Sequence, residues 1–167
     1  MVCEDYCPSE SNLDQCFVAL LNDEIIGYAN IKHGYPEDEV TRAYRKLPDN
    51  IYYINQVAIT KKIQSKGLGT KFYAELFKIY EEKTLTAHAR DINVPSVGLH
   101  IKNGFELAGI FDPGKDFHGV DDYISYFLQK GNVYPVKEEC KEEFDIESKK
   151  ITDALAAPKR KYIKLKM

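Results

Sequence analysis

The feature that most constrains the fold is an apolar stretch, Ile51–Ile59, which leads through a basic, glycine-bearing loop into an amphipathic segment. Nine residues rich in Ile, Tyr and Val favour a strand. From residue 68 to about residue 82, apolar residues recur at helical spacing. That apolar stripe consists of Leu68, Phe72, Leu76 and Ile79 or Tyr80. Residues 85–90 are again strand-like, so the order strand, helix, strand predicts parallel pairing with the helix packed on the sheet.

Two further strands precede this unit. Residues 16–22 and 25–32 are strand-like and are separated by a short acidic turn at Asp23 and Glu24, so we expect an antiparallel hairpin. The next segment, residues 36–50, begins with a proline and acidic residues, and its apolar residues recur at helical spacing. This pattern predicts a short helix.

The remaining elements follow the second strand of the central unit. Asn93 is placed to cap a helix that has Pro95 in its first turn, and Gly104 is placed to end it. Residues 105–111 and 122–128 are strand-like. The chain is therefore predicted to be an α/β (α+β) protein whose sheet is partly parallel and carries helices on its faces.

The two ends of the chain differ from this central part. Residues 1–14 have no regular apolar pattern and are expected to be irregular. Residues 132–167 are rich in charge, and we expect a helix followed by a solvated basic tail. The predicted division is a domain of residues 1–131 and a charged C-terminal extension of residues 132–167.

Composition excludes several classes of protein. The formal net charge is −3, so the chain has no global positive field that would attract nucleic acid or an anionic membrane. No apolar run approaches the roughly 20 residues of a membrane helix, and the N-terminus lacks a signal-peptide pattern. The four cysteines (3, 7, 16 and 140) lack zinc-site spacing and are interpreted as reduced thiols. These features predict a cytoplasmic protein without a metal.

The loop before the first predicted helix is a candidate phosphate site. Backbone N–H groups at a helix N-terminus lack intrahelical partners and attract anions. Gly67 and Gly69 permit close approach of a phosphate and a positive φ, and Lys61, Lys62 and Lys66 add positive charge nearby. The glycine spacing of P-loops and of dinucleotide folds is absent. An ordinary strand-to-helix turn is the alternative interpretation of this segment taken alone.

Two motifs resemble those of the GNAT family of N-acetyltransferases. The sequence Gln64-Ser-Lys-Gly-Leu-Gly69 is similar to the signature Q/R-x-x-G-x-G/A, which follows a strand in that family. Residues 93–105 resemble its second motif, N-x-x-S-x-x-L-[Y/H]-x-K-x-G-F. The resemblance covers about residues 16–130. It implies the GNAT fold, a mixed and mostly antiparallel central sheet with helices on both faces, here with shortened N-terminal elements.

Residues 99–122 narrow the resemblance to one branch of the family. Leu99-His100, the glycines and aromatics of 109–117, and Asp121 or Asp122 are similar to the phosphinothricin and small amino-acid acetyltransferases. That branch places a glutamate on the strand before the glycine loop. Residues 54–56 of this chain are Ile, Asn and Gln, so no carboxylate base is carried over.

The resemblance implies transfer of an acetyl group from acetyl-CoA, a co-substrate, to a primary amine of a small molecule or peptide through a tetrahedral intermediate. In that scheme backbone groups of residues 57–59 align the pantetheine arm and hold the thioester carbonyl. Backbone N–H groups of residues 64–70 hold the pyrophosphate, and two polar residues of the second motif orient the cofactor. The implied cofactor-binding residues are Val57, Ala58, Ile59, Gln64, Ser65, Lys66, Gly67, Leu68, Gly69, Thr70, Asn93 and Ser96.

His100 is the predicted catalytic acid for the leaving thiolate, because imidazole titrates near neutrality. The alternative is a packed, hydrogen-bonded histidine that only fills this position. Candidate routes for the amine proton are Asp91, Tyr53 and a water held by Asn55 or Gln56. The other histidines, interpreted as structural or surface residues, are His33, His88 and His118.

Two other classes of function stay open. A catalytically degenerate acetyl-CoA-binding module that regulates a partner would fit the short N-terminus. A nucleic-acid-associated protein would use the basic residues between 159 and 166, although such a tail is more simply a solvated terminus. Whether the chain acts alone or as a homodimer also stays open.

Overall fold

The structure, a computed structural model, describes residues 15–34, 40–63, 66–112 and 124–157. Within these ranges seven strands form one sheet and three helices pack on it. The elements are β1 Gln15–Leu21, β2 Glu24–His33, β3 Arg42–Ala43, β4 Ile51–Ile59, α1 Leu68–Ile79, β5 Thr84–Arg90, α2 Val94–Lys102, β6 Glu106–Phe111, β7 Ser125–Lys130 and α3 Lys141–Ala156. Two single 3-10 turns occupy Lys61–Ile63 and Glu138–Cys140.

The strands lie in the order β1-β2-β4-β5-β7-β6-β3. The pair β4–β5 is parallel, and the five other pairs are antiparallel. The parallel pair is joined through α1, as the strand–helix–strand pattern predicts. The mixed, mostly antiparallel sheet of the predicted fold class is thereby confirmed.

The predicted hairpin is β1 and β2. Its turn residues are Asn22 and Asp23, with φ of 51° and 65°. Two consecutive residues in the left-handed region twist the chain in the sense that tight hairpins require. Asn and Asp tolerate this region better than most residues. The turn lies one residue earlier than expected, and Glu24 begins β2.

The main core lies between the sheet and the helices. On the sheet side it includes the inward residues Leu85, Ala87 and Ala89 of β5. Tyr73 and Leu76 of α1, Val97 of α2 and Ile151 of α3 belong to the same buried cluster. The three described helices therefore contribute to one buried core.

The predicted helix in residues 36–50 is wrong for the part that the structure describes, residues 40–50. Arg42 and Ala43 form the edge strand β3, which pairs with Ile110 and Gly109 of β6. Tyr44 is fully buried in the core. The segment is extended because its backbone hydrogen-bonds to distant β6, a contact that no local spacing reveals.

Helix α1 begins where predicted, and its buried face keeps most of the predicted stripe, since Tyr80 is 5% exposed and Phe72 packs against the core, but this face also includes Tyr73. Ile79 is 57% exposed, whereas Tyr73 is 1% exposed and lies among the core residues. Leu76 is buried as expected. The helix ends at Ile79, earlier than the predicted end near residue 82. Helix α2 is capped at its N-terminus by Asn93, as predicted.

Helix α3 lies in the C-terminal charged region and is largely exposed, but one of its faces packs on the domain. Ile151 and Glu147 are buried. Glu147 accepts hydrogen bonds from Lys150 at 2.8 Å and from the Tyr126 hydroxyl at 3.5 Å. Glu143 accepts from the hydroxyl of Tyr44 at 3.2 Å. Among the described residues no helix is long and apolar enough to span a membrane.

Candidate active site

The central feature is a notch where β4 and β5 separate. Their parallel pairing begins at Ile51 and Thr84 and ends at Ile54 and Ala87. Both strands continue beyond it, β4 to Ile59 and β5 to Arg90. On its other side β4 stays paired with β2 through the end of the strand. Backbone of residues 55–59 therefore lines one wall of an opening in the middle of the sheet.

An irregularity in β4 marks the place where the notch begins. In the β2–β4 ladder Asn30 pairs with Gln56 and Ile31 pairs with Ile54, so Asn55 has no partner in the register. An extra residue of this kind bends a strand and increases its local twist. The Asn55 amide donates to the side-chain oxygen of Asn30 at 3.2 Å, which holds the bulge in place.

The N-terminus of α1 opens beside this notch. Gly67 precedes the helix with φ of 74°, a conformation that favours glycine. Gly67 has no side chain with which to cap the helix, and the first turn carries no acidic residue. The first N–H groups of α1 are thus open to an anion. Lys66 and Thr70 are exposed at this end.

Gly69 brings three elements together at the notch. A Cβ added to Gly69 would lie 3.3 Å from Cδ1 of Ile59 and 3.9 Å from a methyl carbon of Leu99. The end of β4, the first turn of α1 and the middle of α2 therefore meet here. At Gly67, by comparison, an added Cβ would have no neighbour within 4 Å among the residues that the structure describes. The two glycines serve different purposes: Gly67 supplies a backbone conformation and Gly69 a close contact.

The first turn of α2 is built as predicted. The Asn93 side chain accepts from the backbone N–H of Ser96 at 3.3 Å and so caps the helix. Because this cap uses Oδ1 of Asn93, its amide group and the Ser96 hydroxyl are the groups left to meet a ligand. Gly104, with φ of 83°, follows the end of the helix.

His100 is enclosed rather than presented at the surface. It is 4% exposed, and its Nδ1 lies 2.8 Å from the Ser96 carbonyl. A carbonyl can only accept, so Nδ1 carries a proton, and in the neutral ring Nε2 accepts from the Tyr73 hydroxyl at 2.9 Å. The rings of Tyr73 and Phe105 pack edge-on against it. Burial lowers the pKa of His100 below its ordinary 6.5, and the bond to Ser96 opposes this shift.

Beside the notch, in the β1–β2 hairpin, the sheet face opposite the helices is exposed. Val18, Leu20, Ile25 and Tyr28 of the β1–β2 hairpin are 56%, 59%, 66% and 40% exposed. Leu20 pairs with Ile25 and Val18 pairs with Tyr28, so the four side chains form one patch. We call it the hairpin patch. A contiguous apolar surface of this kind is where partners and ligands bind.

The predicted proton acceptors lie around the notch in different settings. The side-chain oxygen Oε1 of Gln56 accepts a hydrogen bond from the hydroxyl of Tyr28, a member of the hairpin patch, at 3.2 Å. Asp91 accepts from the backbone N–H of Ile92 at 2.8 Å, just after β5. Tyr53 is 7% exposed, with its ring centroid 5.6 Å from that of His88.

The structure brings together most of the predicted cofactor residues that it describes. Val57, Ala58 and Ile59 line the notch, Gly67 to Thr70 open α1 beside it, and Asn93 and Ser96 begin α2. Gln64 and Ser65 lie outside the described residues. The sequence interpretation missed Tyr73, the hydroxyl partner of His100; its position one turn after Gly69 was the available signal. In the described ranges no cluster of three or more metal-binding side chains occurs.

Comparison with known proteins gives one family. A model of the acetyltransferase (GNAT) family matches residues 3–105. Among solved structures, smu.2055 of Streptococcus mutans is 20% identical, with a TM-score of 0.57 over 73% of this chain and 72% of that chain. A GNAT family acetyltransferase of Elizabethkingia anophelis with acetyl-CoA bound is 18% identical, with a TM-score of 0.54 over 71% and 76%.

A third solved structure comes from a plant. It is an Arabidopsis thaliana protein in complex with the bisubstrate analogue CoA-Ac-MVNAL, 14% identical, with a TM-score of 0.54 over 70% of this chain and 72% of that chain. At these identities the likeness establishes the fold. No curated protein matches the sequence significantly.

Proposed function

The chain belongs to the GNAT acetyltransferase family, and we propose that it transfers the acetyl group of acetyl-CoA to a primary amine of a small molecule or a peptide. The observation that carries this proposal is the notch between β4 and β5, with the open N-terminus of α1 beside it. An extended thioester arm and a phosphate group need these two features next to each other. We further propose that residues 1–131 form the catalytic domain and residues 132–167 an extension.

The pyrophosphate is assigned to the first turn of α1. Backbone N–H groups there have no intrahelical partner, and in the described part of the chain no side chain of the N-cap residue, Gly67, bonds to them. The helix dipole adds partial positive charge at this end, and Lys66 adds a full charge. Gln64 and Ser65 complete the assigned loop by resemblance to the family motif.

The pantetheine arm is assigned to the wall of the notch formed by Val57, Ala58 and Ile59. These residues have a strand partner, β2, on one side only. Backbone groups on the other side can bond an extended chain as a further strand would. One N–H of this wall is assigned to the thioester carbonyl, where it would stabilise the oxyanion of the tetrahedral intermediate. The Asn93 amide and the Ser96 hydroxyl are assigned to orienting the arm from the opposite side.

The chemical step is direct attack of the amine on the thioester carbonyl. The amine nitrogen forms a bond to the carbonyl carbon, the intermediate collapses, and the carbon–sulfur bond breaks. The amine must lose a proton, and the thiolate gains one. Asp91, Tyr53 and a water on Asn55 or Gln56 remain the candidates for the first transfer.

His100 stays the predicted acid for the thiolate, and its surroundings set a condition on that role. Nε2 must exchange its bond with the Tyr73 hydroxyl for one with the sulfur, and it must carry a proton. Because burial lowers the pKa of His100, the protonated ring is scarce at neutral pH. These contacts support the packing alternative, and the His100 substitutions described in the Discussion separate the two.

The acceptor amine is assigned to the exposed face that carries the hairpin patch. This face lies opposite the helices and borders the notch through Gln56 and Ala58. The exposed apolar side chains of the patch, Val18, Leu20, Ile25 and Tyr28, favour an amine with an apolar neighbour. A peptide N-terminus is one such acceptor, and the plant structure holds a peptide bisubstrate analogue.

A catalytically degenerate acetyl-CoA-binding module is the second candidate. The observation that favours it is the sequence Ile54-Asn55-Gln56 at the opening of the notch, which contains no carboxylate. Binding of acetyl-CoA without turnover would support this module.

The proposal is tested first by thermal unfolding with acetyl-CoA. At 100 times its dissociation constant, a ligand stabilises the folded state by about 2.7 kcal/mol, so the melting temperature should rise. A panel of amines with apolar and charged neighbours, assayed by release of the CoA thiol, then tests transfer. An unchanged melting temperature at saturating acetyl-CoA would contradict both candidates. A rise without thiol release on any amine would leave only the module.

A further inference from the structure

Two amide side chains lie side by side where the notch begins. Asn30 of β2 and Gln56 of β4 are cross-strand partners, so their side chains leave the sheet on the same face and lie close together. Ala29 and Ile31, on either side of Asn30, are buried in the core that the helices share, so this face is the one opposite the helices. Asn30 is partly buried and Gln56 is exposed. We call these two side chains the amide pair.

Hydrogen bonds to the two oxygens fix the orientation of the amide pair. Oε1 of Gln56 accepts from the Tyr28 hydroxyl at 3.2 Å, and Oδ1 of Asn30 accepts from the amide nitrogen of Asn55 at 3.2 Å. Within the residues that the structure describes, neither amide nitrogen of the pair takes part in a hydrogen bond. Each nitrogen carries two N–H donors. The amide pair therefore offers uncharged donors to a ligand.

A pair of donors selects a group that can only accept. Carbonyl and carboxylate oxygens are such groups. The attacking amine is not the partner, because its lone pair must form the bond to the thioester carbon. The amide pair therefore fits an oxygen atom elsewhere on the molecule that carries the amine.

The position of the amide pair sets the distance between this oxygen and the amine. Gln56 directly precedes Val57, the first residue of the wall assigned to the thioester, and consecutive Cα atoms are about 3.8 Å apart. When the carbon next to an amine carries a carbonyl group, three bonds join the nitrogen to the oxygen, a separation of about 3 Å. Such an oxygen can lie on the amide pair while the amine reaches the wall of the notch.

We propose that the acceptor is an α-amino acyl compound, an amino acid or the N-terminal residue of a peptide, and that Asn30 and Gln56 donate to its carbonyl or carboxylate oxygen. The hairpin patch, which meets the amide pair at Tyr28, then takes an apolar side chain of the same residue. This inference rests on the proposed acetyl transfer and narrows its acceptor. A site built to bond a polar group of its substrate discriminates against an analogue that lacks this group.

Three acceptors with the same amine and the same ring test the proposal. Phenylalaninamide has a carbonyl oxygen, phenylalanine has a carboxylate, and phenethylamine has neither. The measurement is kcat/KM for each, from release of the CoA thiol by the full chain. Because the three amines differ in basicity, the informative quantity is the ratio of kcat/KM between two acceptors, compared between the wild type and each variant at one pH.

Two substitutions remove a donor and keep the internal bonds. Gln56→Glu and Asn30→Asp retain the oxygen that accepts from Tyr28 or Asn55 and replace the amide nitrogen by an oxygen. We expect each to lower the ratio of phenylalaninamide to phenethylamine by about fivefold, the usual contribution of one neutral hydrogen bond. The ratio for phenylalanine should fall further, because its carboxylate then meets a like charge. Gln56→Met removes the donor without adding charge and should also cost about fivefold for phenylalaninamide.

Asn50→Asp is the matched control. It adds the same charge just before β4, about 20 Å from Gln56 along the strand, and should leave the ratios unchanged. Ratios that stay constant in Gln56→Glu and Gln56→Met would overturn the proposal. A fall in Asn50→Asp as large as that in Asn30→Asp would also overturn it, because net charge would then set the preference.

Failure of acetyl transfer itself is a separate result. If the wild type releases no thiol with any of the three acceptors, the transfer proposal fails. Calorimetric binding of N-acetylphenylalaninamide and N-acetylphenethylamine in the presence of CoA then tests the amide pair without turnover. A preference of the wild type for the first compound that is lost in Gln56→Met would support the amide pair as its binding site. Equal binding of the two compounds to the wild type would overturn this assignment.

Discussion

The hydroxyl of Tyr73 donates to Nε2 of His100 across 2.9 Å, in a part of the interior where both side chains are less than 5% exposed. Nδ1 of the same ring donates to the Ser96 carbonyl. The imidazole is thus held at both nitrogens between α1 and the first turn of α2. This arrangement fixes one tautomer of the ring and ties the two helices that flank the notch.

Removal of the Tyr73 hydroxyl should destabilise the fold. In Tyr73→Phe the ring volume is kept, but Nε2 of His100 becomes a buried acceptor without a partner, which costs about 1–3 kcal/mol. Urea unfolding measures the change. Tyr28→Phe is a matched control, since its hydroxyl bonds to Gln56 on an exposed face, and it should cost less than about 0.5 kcal/mol. Equal effects of the two changes would show that the buried bond between Tyr73 and His100 does not stabilise the fold.

Substitution of His100 should separate its two interpretations. His100→Phe is expected to keep acetyl-CoA binding and to slow transfer by about 10²–10⁴-fold, the usual contribution of a positioned acid. His100→Tyr retains a donor and should retain much of the rate. The loss should shrink with a thioester whose leaving group is a weaker base. Rates are compared well below each melting temperature, because the Phe variant also loses the bond from Tyr73. A Phe variant as fast as the wild type would assign His100 to packing.

The same residue predicts a pH dependence of stability. The pKa of His100 is lowered in the folded state, so between that value and 6.5 the unfolded chain binds more protons. The free energy of unfolding should therefore fall as the pH drops through 6.5, and it should level off below the pKa of the folded state. The total loss should be about 1.4 kcal/mol for each pH unit between 6.5 and that pKa. Unfolding of the wild type and of His100→Phe between pH 7.5 and 5.5 measures this loss of stability. The variant should lose less stability on acidification, and parallel curves would be the contrary result.

The two loop glycines should respond differently to substitution. Gly69→Val places carbons against Ile59 and Leu99, so it should narrow the notch and weaken acetyl-CoA binding more than it weakens folding. Gly67→Ala meets no atom of the described residues within 4 Å but must hold φ near 74°, which costs about 1 kcal/mol of stability. Gly67→Asn, whose side chain tolerates this region, is the control and should cost less. Calorimetric titration with acetyl-CoA and urea unfolding measure the two properties. If Gly69→Val weakens folding as much as it weakens acetyl-CoA binding, the loop before α1 is an ordinary strand-to-helix turn.

Much of the sheet was predictable because its signals are local. The strand Ile51–Ile59 has the predicted bounds, since a run of Ile, Tyr and Val has few alternatives at that length. The cap at Asn93 and the glycine at 104 were predicted from residue types that act within one turn of the chain. The loop that precedes α1 was predicted from its two glycines and from the family resemblance.

What could not be predicted depends on distant contacts. Residues 40–50 are extended because Arg42 and Ala43 pair with β6, and because Arg45 donates to the carbonyls of Leu107 and Tyr134 at 2.9 and 2.7 Å. These partners are 62 and 89 positions away along the chain. The bulge at Asn55 arises from the mismatch of two strands and has no signature in one of them. Tyr73 was missed because it lies outside the predicted apolar stripe and its partner, His100, is 27 positions away along the chain.

The edge of the sheet at β1 has a practical consequence. In the described residues it pairs only with β2, and its seven residues, QCFVALL, include no charge, proline or glycine. Natural edge strands usually carry such residues, which stop one molecule from adding its strand to another. Concentrated preparations of this protein are therefore expected to self-associate through β1 into filaments or amorphous precipitate. The substitution Val18→Lys would act as a gatekeeper and should keep the purified chain dispersed during storage.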